Sequence, residues 1–313
     1  MIVTLTAHPS LDRAIELDTA LQAGGVQSAS SGREDAGGKG VNVARVIAAA
    51  GVPVRAVLPL AEDDPFRAPL HSTGLDALTV PVAGRVRTNL TLVDPAGVTT
   101  KINLPGAALD PAERDAIVAA VVVASEGARW LVLAGSLPPG APSDFYVRVI
   151  EAVRSGLGTG APRIAVDTSG DALARTVAEG HPDLIKPNDD ELAELVGEPL
   201  TGGDRVADAV RLARSIVPSR AAAALVTLGS AGAALVTADA AWAAPTPRIR
   251  VRSTVGAGDS SLAGYLLADT AGASAEDSLR HAIRYGAAAA SLPGTQAPAP
   301  TDLPGDDLPV ATF

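Results

Sequence analysis

Short β-rich runs and helical stretches alternate along this chain, and that order restricts its fold more than any single motif does. The β-rich runs are Ile2–Thr6, Val54–Leu58, Trp130–Ala134, Arg163–Asp167, Asp183–Lys186, Ala224–Thr227 and Ala233–Val236. Helical patterns cover Gly40–Ala50, Pro111–Glu126, Ser143–Arg154, Asp189–Val196, Gly203–Val217, Asp259–Asp269 and Ala275–Leu292. Strand, helix, strand in succession predicts a mostly parallel sheet covered by helices on both faces. No linker divides the 313 residues and no period repeats, so residues 1–313 are read as one domain.

Two pairs of strands break the rhythm because no helix follows them. Ala14–Asp18 with Ser28–Glu34, and Arg85–Val93 with Val98–Leu104, read as a small antiparallel lid spanning about 14–34 and 85–104. The turn "DPAG" suits a hairpin in the second pair. The last stretch, "PGTQAPAPTDLPGDDLPVATF", reads as irregular surface chain.

Composition excludes several classes of function. Aromatic residues make up 3% and hydrophobic ones 47%, so the core is built from Ala, Val, Leu and Ile. No apolar run approaches the roughly 20 residues of a membrane span. The start "MIVTLTAHPS" lacks a signal peptide's basic region and reads as a first strand, which predicts a cytoplasmic protein. The absence of cysteine excludes disulfides and thiolate metal sites. A net charge of −10 argues against a nucleic-acid partner.

Chemistry-bearing residues gather at one place in the pattern. Asp12, Ser136, Asp167, Lys186 with Asn188, and Thr227 with Gly229 fall at or just past the C-terminal ends of predicted strands. Open α/β sheets bind ligands in the crevice at that edge. The chain has only three lysines among 25 basic residues: Lys39, Lys101 and Lys186. A lysine retained in so arginine-rich a chain suits a task that needs a compact ammonium.

In "STVGAGDSS", Ser253 to Ser261, glycines allow close backbone approach before a helix whose free amides and dipole favour phosphate. Asp259 stands where a nucleophilic hydroxyl would meet that phosphate, as a general base. The plainer reading makes it a helix cap. "GGKGVNVAR", Gly37 to Arg45, offers backbone amides, the Lys39 ammonium and the Asn42 amide at a second helix N-terminus. In "IKPNDDELAEL", Asn188 and Glu191 have the spacing of a capping box, and equally could organise hydrated Mg2+ beside nucleotide phosphates. "VTLGSAGA" adds a glycine turn after a strand that could hold a nucleotide. "EDAGGKG" fails as a P-loop because Gly40 stands where Ser or Thr is required. "GAGDSS" ends in Ser261, and no acidic residue ends a strand about 20 residues later, so it is weak as a dinucleotide fingerprint.

Taken in order, "GGKGVNVAR", "AGSLPPG", "IKPNDDEL", "VTLGSAGA" and "STVGAGDSS" resemble the ribokinase-type (PfkB) carbohydrate kinases, from about Ile2 to Thr295. "TAHPSLDRA", "GRVRTNLTL" and "PGAAL" resemble the branch that acts on phosphosugars. The resemblance implies a three-layer α/β/α sandwich with a β-lid. It also implies ATP-dependent, Mg2+-requiring phosphorylation of a ketohexose phosphate, foremost fructose 1-phosphate. Tagatose 6-phosphate and fructose 6-phosphate are alternatives; a kinase of an unphosphorylated sugar or nucleoside ranks behind them, and a non-catalytic sugar-phosphate sensor last.

By the same resemblance, Asp259 is the base, and Gly256, Ala257 and Gly258 form the anion hole. Asp12, Gly38 and Asn42 hold sugar hydroxyls, and Lys39 and Arg87 bind the phosphate already on the substrate. Ser136 and Lys101 also fall among the substrate-binding positions. Lys186, Asn188, Thr227, Gly229, Gly232 and Gly258 serve ATP, and Glu191 with Asn188 serves Mg2+ through water. Many such kinases dimerise through the lid, so a homodimer is expected.

Two departures bear on the substrate. Relatives specialised for fructose 6-phosphate carry basic lid residues where this chain reads "GGVQSASS", and they lack the lysine at Lys39. Lys101, however, matches a basic position in them. Ser253 replaces the carboxylate that ribokinase-like sequences offer to potassium.

Overall fold

The computed structural model describes residues 1–305 and 307–313. In chain order, β1 (Ile2–Leu5) opens the large sheet, and β2 (Ser10–Leu17) and β3 (Ala29–Gly37) leave it for the lid. Helix α1 (Lys39–Ala49) returns to β4 (Val54–Leu60), and short α2 (Arg67–Ser72) leads to β5 (Asp76–Pro81). The lid is completed by β6 (Arg87–Val93) and β7 (Thr99–Asn103). Alternation then resumes through α3 (Pro111–Ala124), β8 (Trp130–Ala134), α4 (Phe145–Leu157), β9 (Arg163–Asp167) and α5 (Gly170–Arg175). It continues with β10 (Leu184–Ile185), α6 (Asp189–Val196), α7 (Arg205–Arg214) and β11 (Ala223–Thr227). The chain closes with β12 (Ala233–Thr237), β13 (Ala241–Ala244), α8 (Ala257–Thr270), α9 (Ala275–Ser291) and β14 (Ala311–Thr312).

The large sheet runs β14-β13-β12-β11-β10-β9-β8-β1-β4-β5. From β11 to β5 every pairing is parallel, while β12, β13 and β14 form an antiparallel edge. Parallel strands buried on both faces need apolar residues in near-continuous runs, and "WLVLA" of β8 is buried at all five positions. Helices α3, α4, α6 and α7 cover one face and α1, α8 and α9 the other, each through its own apolar cluster. The expected three layers are present.

The four-stranded lid runs β3-β2-β6-β7 and is mixed rather than antiparallel. Strands β2 and β6 pair in parallel, with Ser10 opposite Arg87 and Asp12 opposite Asn89. Two hairpins rise from the same edge of the large sheet, so their outgoing strands point the same way and meet side by side. The "DPAG" turn forms as expected, with Asp94 Oδ1 accepting from the amides of Ala96 and Val98.

The C-terminal stretch departs from the reading of irregular surface chain. Leu308 is buried, and Ala311–Thr312 pairs with Trp242–Ala243 at the sheet edge. A two-residue strand carries no periodic signal, and only its partner determines it.

Candidate active site

Two helix N-termini converge at the C-terminal edge of the parallel strands. Helix α8 starts at Ala257 rather than Asp259, because Gly256 takes φ 78° and ψ −1° and turns the chain in as the N-cap. A side chain there would be strained in the left-handed region. Asp259 is therefore the third residue of the helix, and its carboxylate makes no cap bond. The capping explanation fails. Instead Asp259 Oδ2 accepts from Asn42 Nδ2 of α1 at 2.8 Å, which ties the two helix starts together.

Asp259 is buried, and burial pushes its carboxyl up to about 6, with the negative charge of Asp167 adding to the rise. The Lys39 and Lys186 ammoniums and the Asn42 amide act the other way. Burial would by itself push Lys39 down, but the charges of Asp167 and Asp259 more than offset it and hold the ammonium above the usual lysine range. Lys39 Nζ lies 2.7 Å from Asp167 Oδ1, and Lys186 Nζ lies 3.4 Å from Oδ2 of the same carboxylate. A Cβ on Gly258 would sit 3.3 Å from Lys186 Nζ, so the glycine turn and this ammonium touch.

These groups open into a cleft of about 890 Å³. Asp12, Gly38, Lys39, Asn42 and Arg87 line it on the lid side; Lys186, Asn188, Glu191, Thr227, Gly229 and Gly232 line the remainder, with Gly256, Ala257, Gly258 and Asp259 between. Asp12 is not at the end of a sheet strand, as its sequence position suggested. It lies in lid strand β2, which carries it over the cleft. Its Oδ1 accepts from Asn89 Nδ2 at 2.8 Å, and a Cβ on Gly37 would come within 2.1 Å of its Oδ2. Arg87 has a buried Nε with no protein partner.

Two expected substrate contacts fall outside this cleft. Lys101 is exposed on β7, and Ser136 is exposed beyond β8; neither lines it. Ser136 Oγ instead lies 3.3 Å from His8 Nδ1, while His8 Nε2 lies 3.0 Å from the Pro105 carbonyl. Burial and the nearby Arg87 charge push His8 down to about 4, so at neutral pH its ring is uncharged. It then donates from Nε2 to Pro105 and accepts at Nδ1 from Ser136.

Asn188 and Glu191 form the capping box that their spacing allowed: Asn188 Oδ1 accepts from the Glu191 amide at 2.8 Å, and Glu191 Oε2 accepts from the Asn188 amide at 2.9 Å. One Glu191 oxygen stays free beside the cleft. Among the described residues no group of three or more His, Cys, Asp or Glu side chains is placed to hold a metal ion. This donor set suits a hydrated ion better than a protein cage.

Sequence reasoning passed over Asn89 and gave Asp167 no task. Arg87 and Asn89 are two apart in "RTN", and the two-residue period of a strand puts both on one face. That signal was available. Asp167 ends β9 in the interior, and its partners come from α1 and the segment after β10, so only the fold assembles it.

A cleft at the C-terminal edge of a parallel sheet, where helix amides, a buried carboxylate and two ammoniums gather, suits phosphoryl transfer to a small molecule. The relatives agree in class. The chain belongs to the pfkB family of carbohydrate kinases, whose family model matches residues 9–302. It is 35% identical over 306 residues to 1-phosphofructokinase of Rhodobacter capsulatus, covering 96% of this chain and 94% of that one. The ATP-dependent 6-phosphofructokinase isozyme 2 of Escherichia coli is 35% identical over 300 residues, covering 94% of each. The crystal structure of phosphofructokinase-2 from Escherichia coli in complex with substrates and products superposes with a TM-score of 0.86 at 33% identity, covering 96% of both chains. The ribokinase-like fold expected from the motifs is the fold observed.

Proposed function

We propose that this chain transfers the γ-phosphoryl group of ATP to fructose 1-phosphate, forming fructose 1,6-bisphosphate. The observation that carries the reading is the pairing, within one cleft, of a buried base among helix amides with an arginine on the lid. The C6 hydroxyl attacks the γ-phosphorus, the bond to the ADP oxygen breaks, and Asp259 takes the hydroxyl proton. Positioning and charge neutralisation supply most of the acceleration, because the transition state is loose. The first amides of α8 face the phosphoryl oxygens. Lys39 and Lys186, held beside Asp259 by Asp167, flank them.

Arg87 receives the phosphate already on the sugar, with Asp12 beside it for hydroxyls. Lys39, which the motifs assigned to that same phosphate, is engaged with Asp167 and serves the transferred group in this reading. Asn188 and Glu191 would hold Mg2+ through water, and the bound ion would neutralise charge on the nucleotide phosphates. Lys101, the residue that favoured fructose 6-phosphate, is exposed and outside the cleft, which supports the 1-phosphate.

The lid also supports a homodimer. Ile102 is exposed on the outer strand β7 with Val98 and Leu104 exposed at its two ends, and an open edge with apolar residues favours cover by a second lid. Among the described residues no helix is long and apolar enough to cross a membrane.

A coupled assay of ADP release tests the substrate across fructose 1-phosphate, fructose 6-phosphate, tagatose 6-phosphate and free fructose. The highest kcat/KM is expected with fructose 1-phosphate. A preference for free fructose overturns the phosphosugar reading, and a preference for fructose 6-phosphate overturns the choice of sugar.

A further inference from the structure

Among the described residues, Asp167 is the one fully buried carboxylate that both cleft lysines contact. It ends β9, while Lys39 opens α1 and Lys186 follows β10, so three separate elements meet at its two oxygens. Lys39 Nζ is 2.7 Å from Oδ1 and Lys186 Nζ 3.4 Å from Oδ2. The Asp167 side chain has no exposure, and it lies behind the two ammoniums rather than among the residues lining the cleft. Burial without partners would favour its neutral form, yet the charges of Lys186 and Lys39 hold it ionised.

We propose that Asp167 is a positioning residue: its carboxylate holds the Lys39 and Lys186 ammoniums side by side against the glycine turn, where they meet the transferred phosphoryl group. Two flexible lysines otherwise repel each other and lose side-chain entropy on being fixed. One carboxylate between them removes the repulsion and sets their spacing before ATP arrives. This inference rests on the reading of Asp259 as the base, and it adds a residue that acts only through others.

Asp167→Asn keeps the size and removes the charge. Losing the alignment of charged hydrogen bonds is expected to lower kcat about 10- to 100-fold. A purely structural role would lower the melting temperature and leave the pH profile in place. The proposal instead moves the profile. Asp259 is faced by Asp167, Lys39 and Lys186, with the Asn42 amide on its Oδ2. Removing the Asp167 charge leaves the two ammoniums acting on Asp259 unopposed, so the acid limb of kcat/KM, expected near 6 in the wild type, shifts lower.

The experiment measures kcat, KM and the pH profile with ATP and fructose 1-phosphate for wild type, Asp167→Asn, the double variant Lys39→Gln with Lys186→Gln, and the triple variant. The triple variant is expected to match the double lysine variant within a few-fold, because Asp167 has then lost both of its clients. An unchanged kcat with an unmoved acid limb in Asp167→Asn overturns the proposal. A triple variant ten or more times worse than the double lysine variant also overturns it. That comparison remains decisive if Asp167→Asn alone does not fold, since the triple variant removes the buried charge together with both of its partners. A wild-type profile without an acid limb near 6 counts against Asp259 as the base, whereas a limb present but unmoved in Asp167→Asn counts against Asp167 alone.

Discussion

Replacing Asp259 with asparagine should slow the enzyme and make it more stable, and the two effects have one cause. Asparagine is nearly isosteric, and its side-chain oxygen still accepts from Asn42 Nδ2, which now meets Oδ2 at 2.8 Å. It cannot take a proton from the sugar hydroxyl. Loss of a positioned general base is worth about 10²–10⁴ in kcat. The acid limb near 6 should vanish with it, since that limb reports the Asp259 carboxyl.

The stability effect follows from the same raised pKa. Between 3.8 and about 6 the folded protein binds this proton more tightly than the unfolded chain does. Stability contributed by Asp259 is therefore present below about pH 4, falls as pH rises through 6, and stays lost at neutral pH. A rise of that size corresponds to at most roughly 3 kcal/mol. With an unfolding entropy of about 2.1 cal/mol/K per residue, a chain of 313 residues gains up to about 5 °C in melting temperature. Calorimetry of Asp259→Asn should show that gain at pH 7.5 and little at pH 4. Activity within a factor of a few of wild type refutes the base, and a melting temperature below wild type at pH 7.5 refutes the electrostatic account.

Arg87→Ala should cost about 10- to 150-fold in kcat/KM with fructose 1-phosphate, the worth of a charged hydrogen bond, and almost nothing with fructose; equal losses on both sink the phosphate assignment. Glu191→Gln keeps an oxygen for the Asn188 amide, so α6 should stay capped and melting unchanged, while the Mg2+ concentration for half-maximal rate rises several-fold. An unchanged Mg2+ requirement would leave Glu191 with capping alone. Light scattering at micromolar concentration should give the mass of a dimer, and Ile102→Asp on the exposed lid strand should shift it towards monomer. A fully active wild-type monomer refutes lid-to-lid assembly.

Legibility in the sequence followed how local the determining physics was. β8, β9 and α6 fall on the residues their patterns predicted, because apolar runs and a capping box are local signals. β5 went unseen: Asp76–Pro81 is an edge strand that is only partly buried and ends in proline, so it lacks the apolar run of its neighbours. The start of α8 was displaced by two residues because Gly258 reads as turn but lies in the first turn of the helix. Most motif residues do line one cleft, since each sits at a strand end or helix start that the alternation fixes. Ser136 and Lys101 do not: Ser136 meets His8 and Lys101 lies exposed on the outermost lid strand, placements that no local pattern encodes.

The scarcity of lysine acquires a physical reason from the site. Two of the three lysines contact one buried carboxylate, and the third is the exposed Lys101. Lys186 keeps only 4% of its side chain exposed and lies against the glycine turn, within 3.3 Å of where a Cβ on Gly258 would be. A guanidinium is wider than an ammonium and fixes its donors in a plane, so it would need both the space of that turn and a second carboxylate to satisfy its fork. An ammonium needs neither. It can turn its three protons between Asp167 and an arriving phosphate without moving its stem. Arg87, by contrast, stands at the start of a lid strand with a free buried Nε, where a planar fork can meet a phosphate already attached to the sugar. On the proposed roles, Lys39 and Lys186 serve where a charge is shared between two anions in a confined space, and Arg87 where one fixed anion is gripped.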